Sequence, residues 1–198
     1  MAEIFANKSI NAGDILEFGR YEQGDGIKPI EWRVLAVKEG KALLISEKGL
    51  DWQPFSEKSA GTTWETCTIR PWLNETFLNT AFSDEEKSVI LLSAVPADKN
   101  PEYDTDPGNA TQDKIFLPSA LEVKKYFTSN KDRLCCATSY AHSRGAFISD
   151  GYTYWQLRTP GCREKLVCYV VNNGSISCYG ERLGTIGEAI RPAMWVEI

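Results

Sequence analysis

Apolar residues alternate with polar ones at both ends of the chain, and a four-residue apolar period runs through its middle. Leu16 and Phe18 alternate within Asp14–Glu22 and predict a strand. Ile30, Trp32, Val34 and Ala36 share one face of Pro29–Val37, a period of two. Glu39-Gly40-Lys41 is a turn, and Ala42–Ser46 is an apolar run that predicts a buried strand. The first quarter therefore predicts an antiparallel meander of three strands. Ile69, Leu73, Phe77 and Ala81 then recur every four residues, with Arg70, Asn74, Glu75 and Asn79 off the stripe. That is an amphipathic helix, with Pro71 tolerated in its first turn and Thr68 as its cap.

Ser83-Asp84-Glu85-Glu86 is a capping box and starts a second short helix reaching about Leu92. Asp113–Leu117 predicts a short strand. Ser119 caps a helix, with Glu122 at the capping-box position, that runs to Phe127. Arg133–His142 predicts a further helical turn. After Tyr152 the chain is strand-like again, over Tyr154–Arg158, Lys165–Val171, Ser175–Tyr179 and Pro192–Ile198. Val170-Val171-Asn172-Asn173-Gly174-Ser175-Ile176 is a strong hairpin signal. Strands, then helices, then strands indicate an α+β fold. Its economical arrangement pairs the first and last strands in one sheet.

The length of 198 residues suits a single domain, with residues 1–12 as a lead-in. A net charge of −5 without a basic run argues against a nucleic-acid footprint. No stretch is long and apolar enough to predict membrane insertion, and Met1–Gly13 does not read as a signal peptide. The chain as given therefore predicts a cytoplasmic protein, although a removed signal would leave no trace.

Candidate chemistry is sparse. The six cysteines, at 67, 135, 136, 162, 168 and 178, contain no CxxC pair, and His142 is the one histidine. That spacing argues against structural zinc. Cys168 and Cys178 would face each other across the hairpin, most simply as two half-buried thiols. A Cys136–His142 pair is conceivable from sequence proximity alone. Asp98, Glu102, Asp104 and Asp106 could chelate Ca²⁺ through their oxygens, but their spacing is not that of an EF-hand, and a solvated turn is the default. No cofactor other than this candidate Ca²⁺ is indicated.

Many of these segments, taken in order, resemble a bacterial family known only as domain of unknown function 6273. They include Gly13-Asp14-Ile15, Phe18–Tyr21, Pro29–Leu35, Thr63-Trp64, Ile69–Asn74 and Asp113–Leu117. Ala81-Phe82-Ser83 with Glu86, Tyr126-Phe127, Ala137–Ala141, Trp155–Gly161 and Arg191–Trp195 complete the match. Gln156 departs from the family pattern, which usually has a second Trp there. More distantly, the ending resembles the C-type lectin-like fold of formylglycine-generating enzymes and of the variable proteins of diversity-generating retroelements. That resemblance implies a ligand-binding face between Gly151 and Gly187.

Tyr152, Tyr154, Gln156, Arg163, Tyr169, Tyr179 and Arg182 mix aromatic and polar character at positions expected to be partly exposed. Tyr and Arg are suited to recognition surfaces. Trp155, Arg158, Arg191 and Trp195 are expected to frame the fold, each arginine tying loop carbonyls or stacking on a Trp, with Asp113 as their anionic partner. Trp32, Trp64 and Trp72 are expected in the core. Two functions stay open. One is a non-catalytic module recognising a protein or a small molecule. The other is a Cys- and metal-dependent oxidoreductase of the formylglycine-generating type.

Overall fold

A computed structural model describes residues 4–5, 9–57, 62–182 and 187–198, apart from the side chain of Arg182. The fold is α+β, built on antiparallel sheets. Strands β1 (Ile15–Glu22), β2 (Ile27–Lys38) and β3 (Lys41–Ser46) form the expected meander. The last strand, β11 (Ala193–Glu197), completes the sheet in the order β1-β2-β3-β11. First and last strands thus share a sheet but do not pair: β11 lies against β3, and β1 forms the opposite edge. Alternation places Ile30, Trp32 and Val34 in the core, and Trp32 Nε1 donates to the Phe18 carbonyl at 2.7 Å.

The middle of the chain supplies five short helices among the described residues. Helix α1 runs Ile69–Pro71, passes through a π-helical stretch Trp72–Phe77 and ends with Leu78–Ala81. The π stretch explains the four-residue stripe. An ideal α-helix of 3.6 residues per turn would rotate such a stripe by about 40° at every step, whereas the wider π turns keep Ile69, Leu73, Phe77 and Ala81 all buried. Thr68 does not cap this helix; its hydroxyl accepts from the Glu57 amide at 3.1 Å. Helices α2 (Asp84–Val89) and α3 (Ala120–Tyr126) open on the capping boxes expected at Ser83/Glu86 and Ser119/Glu122. The expected turn at Arg133–His142 is two helices, α4 (Asn130–Arg133) and α5 (Ser139–Arg144).

Short strands β4 (Ser93–Val95) and β5 (Thr111–Asp113) pair with each other, as do β6 (Ile148–Ser149) and β7 (Tyr152–Thr153). The second large sheet has the order β10-β9-β8. It comprises β8 (Trp155–Pro160), β9 (Leu166–Val170) and β10 (Ile176–Arg182). The extended segment 188–193 joins the two sheets. Leu50 donates to the Ile190 carbonyl at 2.9 Å, and Ile190 donates to Asp51 at 2.8 Å. On the other edge Ala189 donates to Tyr154 at 2.8 Å, and Gln156 donates to Ala189 at 3.1 Å.

The two framing arginines behave as scaffold, with partners other than Asp113, which pairs with Arg70 at 2.6 Å. Arg191 is buried. Its guanidinium lies 4.9 Å from the Trp155 ring and 5.4 Å from the Phe127 ring, and its Nε donates to the Ser46 carbonyl at 2.8 Å. Arg158 is buried as well. It donates to the Leu117 carbonyl at 2.9 Å, reaches Asp98 at 3.1 Å and pairs with Glu122. Trp155 is fully buried, while Trp195 is half-buried against the core. Trp32 and Trp64 are buried and Trp72 is partly so.

Asp98 is therefore committed to Arg158 and to Ser119, whose hydroxyl donates to it. Asp104 pairs with Lys99 at 3.4 Å, and Asp106 accepts from the Gly108 amide at 2.9 Å. Glu102 donates its amide to the Asn100 side chain. Among the described residues no three metal-binding side chains gather, so the acidic run is not assembled into a Ca²⁺ site. It serves instead as a lash. Asn100 Nδ2 donates to the Pro160 and Cys178 carbonyls, each at 2.7 Å, and Thr105 donates to Gly161 at 2.8 Å. Arg158→Ala removes one pole of this lash and strands Asp98 and Glu122. Since both acids keep some solvent contact, it is expected to cost about 3 kcal/mol in urea unfolding.

Candidate functional site

Within the expected binding region, the β9–β10 hairpin is anchored at its tip. Val170 pairs with Ile176, and Val171 donates to the Ser175 carbonyl at 2.8 Å, leaving the three-residue loop 172–174. Gly174 sits at φ +80°, and a Cβ there would collide with the Asn130 carbonyl. Only glycine allows that approach, and Arg133 Nε then donates to the Gly174 carbonyl at 2.7 Å. The hairpin tip is thereby docked on α4.

The seven candidate binding residues do not form one patch. Tyr154 and Tyr169 meet edge to face at 5.9 Å, and Tyr154 stacks on Phe147 at 5.7 Å. Both tyrosines are half-buried, and Phe147 is 47% exposed. Tyr152 is half-buried in β7, two residues before Tyr154. A separate group contains Tyr179, which is 52% exposed. Arg163 donates to its hydroxyl at 3.2 Å, and Tyr103 packs edge-on against it at 6.1 Å. The Arg182 side chain lies outside the described residues.

Gln156 corrects the expectation of exposure, because it is fully buried. It stands opposite Tyr169 in the sheet, and its Nε2 donates to the Gln53 carbonyl at 2.8 Å and more weakly to Glu188 at 3.4 Å. A Trp in its place would have to displace those carbonyls. Gln156 Oε1 has no partner.

Glu188 is the residue that sequence reasoning missed. It is fully buried, and neither carboxylate oxygen has a hydrogen-bond partner. Extended neighbours point to opposite sides. Ala189 packs with Trp52, Ala141 and Ala146, so Glu188 faces the other way, toward the Gln156–Tyr169 side. Burial raises its pKa from the usual 4.5 to about 7; its own backbone N–H, too poorly aligned to count as a hydrogen bond, opposes the rise, and the Glu181 carboxylate adds to it. Burial likewise raises the Tyr169 phenol, and the charges of Glu181 and Glu188 push it further. The available signal was a lone acid inside the small and apolar run Gly187–Ile190. Gln156 lies opposite Tyr169 on the sheet and Glu188 acts on the Tyr169 phenol, so the two form a buried polar floor beside the Tyr154–Tyr169–Phe147 rim, with three acceptor atoms unmet.

The thiols are arranged differently from the expectation. Cys168 and Cys178 are adjacent and unbonded, but fully rather than half buried. The Cys178 thiol beside it and burial both hold the proton on Cys168. Burial also raises Cys67 to about 12. Cys136 is exposed, while His142 Nδ1 lies 2.9 Å from the Ala146 carbonyl.

A family model described as Domain of unknown function (DUF6273) matches residues 39–198, the greater part of the chain. The chain belongs to this family. The DUF6273 match spans β3, the five described helices, the hairpin and the segment 188–193, while β1 and β2 precede it. No curated protein and no solved structure matches the chain.

The raised pKa of Glu188 sets the sign of a pH effect. Between 4.5 and about 7 the folded state keeps a proton that the unfolded state releases. Stability from this group is therefore fullest below that window and falls by about 3 kcal/mol as pH rises through it. Glu188→Gln should abolish that fall. Urea unfolding at pH 5 and pH 8 should show the variant gaining about 2–3 kcal/mol over wild type only at the higher pH. Asp51, also raised by burial, is common to both proteins and cancels in the difference.

Proposed function

We propose that this domain is a non-catalytic recognition module of C-type lectin-like architecture that presents the region 151–187 to a protein or small-molecule ligand. The observation that carries this reading is the aromatic rim of Phe147, Tyr154 and Tyr169 beside a polar floor. It is held by a hairpin docked on α4. Rigid aromatic side chains give contact area at low entropic cost, and a fixed scaffold lowers the ordering cost of binding. The presence of both terminal strands in one sheet also suits the lectin-like architecture. In its finer form the module is a variable protein of a diversity-generating retroelement. A reverse transcriptase and a near-copy of the codons for residues 151–187 beside the gene are the outcome expected of that form.

The oxidoreductase reading draws less support. The neighbouring thiols Cys168 and Cys178 are sealed from solvent, and thiolate chemistry needs access.

Selection of a displayed peptide library against the domain tests the recognition reading. The selected peptides should lose at least about tenfold in affinity on Tyr154→Ala or Tyr169→Ala, while Tyr126→Ala leaves them unchanged. Peptides indifferent to both rim substitutions, or copper-dependent oxygen uptake with a cysteine peptide, would overturn it.

A further inference from the structure

The floor beside the Tyr154–Tyr169 rim has an unbalanced set of hydrogen-bonding groups. Its unmet atoms are both carboxylate oxygens of Glu188 and the Oε1 of Gln156, and each is an acceptor when Glu188 is ionised. Both residues are fully buried. Gln156 has already used its Nε2 on the Gln53 and Glu188 carbonyls, so it has no donor to offer the carboxylate. Among the described residues, the groups that act on the Glu188 carboxyl include no cation. Glu181 on β10 is a second acid, while burial holds the proton on the Tyr169 phenol of β9. Five described arginines of this half of the fold have other contacts: Arg158 with Asp98 and Glu122, Arg144 with Asp51, Arg133 with the hairpin tip, Arg163 with Tyr179, and Arg191 with the Ser46 carbonyl and two rings, its Nη1 alone being unmet.

A buried carboxylate without a partner costs several kcal/mol unless something neutralises it. What the floor lacks is a cation carrying several donors. What the rim offers is aromatic faces and edges, at Tyr154, Tyr169 and Phe147, that favour such a cation once it is desolvated.

We propose that this floor is a binding site for a guanidinium group, with Glu188 as its anionic anchor and Gln156 Oε1 as a second acceptor. This rests on the recognition reading and names the ligand chemistry of the same site. A guanidinium fits better than an ammonium ion. Its planar fork meets both oxygens of one carboxylate and leaves further N–H groups for Gln156, and its weak hydration makes burial between rings less costly. The group could arrive as a free small molecule or as an arginine side chain of a peptide. An arginine contributes the same fork in either case, so the two sources are separated by affinity.

Titration calorimetry at pH 8 with agmatine, butylamine, butyrate and the peptide Gly-Gly-Arg-Gly-Gly tests the assignment. Agmatine or the peptide should bind one to one with a dissociation constant below about 1 mM. Butylamine should bind more weakly and butyrate not at all. The tighter of the two guanidinium probes identifies the source. Glu188→Gln should weaken binding at least about tenfold, as should lowering the pH to 5.5, where Glu188 carries its proton. Thermal unfolding of the same variant shows that it remains folded. The assignment is overturned if neither guanidinium probe binds at about 10 mM, or if Glu188→Gln leaves binding intact. It is also overturned if a crystal structure grown with agmatine shows only water against Glu188. Binding lost in Tyr154→Ala but kept in Glu188→Gln would remove the guanidinium anchor and leave the recognition face standing. Peptide binders that ignore the rim would remove both.

Discussion

The extended segment 188–193 is the constraint on which the rest of the molecule depends. Its backbone bonds to residues 50 and 51 along one edge and to residues 154 and 156 along the other. Further on, Ser46 donates to Pro192 at 3.0 Å, and Ala193 exchanges two bonds with Phe116. A single stretch therefore locks the four-stranded sheet to the β8–β10 sheet. Arg191, in its middle, holds the join from the side-chain direction, between Trp155 and Phe127. A buried guanidinium is tolerated there because two ring faces and the Ser46 carbonyl replace part of its hydration.

The same join creates the candidate site. Strand alternation that sends Ala189 into the cluster with Trp52 must send Glu188 to the opposite side, toward Tyr169 and Gln156. The domain thus buries an acid that keeps its proton up to a pH of about 7 and costs stability once ionised, a cost that the seven backbone bonds of the seam and the surrounding core offset. Polar groups left unsatisfied in a well-packed interior tend to mark function more than stability. Here they lie beside Tyr169, one of the aromatic residues on which the recognition reading rests.

Local signals were legible wherever their physics is local. The capping boxes at Ser83 and Ser119, the hairpin at Asn172–Gly174 and the alternation of β2 all appear as the sequence indicates. Each depends on residues a few positions apart. The stripe from Ile69 to Ala81 was legible as a helix, but its period of four held a second message, the π stretch at Trp72–Phe77. Misreadings came from long-range pairing. Asp113 looked like a partner for Arg158 but pairs with Arg70, and Asp98 looked like a calcium ligand but anchors Arg158. A carboxylate chooses its partner by position in space, and 60 residues separate Asp98 from Arg158.

The sequence by itself determined the α+β class, the family, the three-stranded meander and the hairpin, because hydrophobic period, turn chemistry and capping are encoded within short windows. Only the tertiary structure decided that the last strand lies on β3 rather than β1, that Gln156 is interior, and that the candidate tyrosines divide into two groups. It alone revealed Glu188 as a buried carboxylate without a partner. The reason is that burial and charge compensation belong to the assembled environment. A glutamate in a short apolar run reads the same whether a cation, water or nothing lies against it, until the strands on both sides of it are in place.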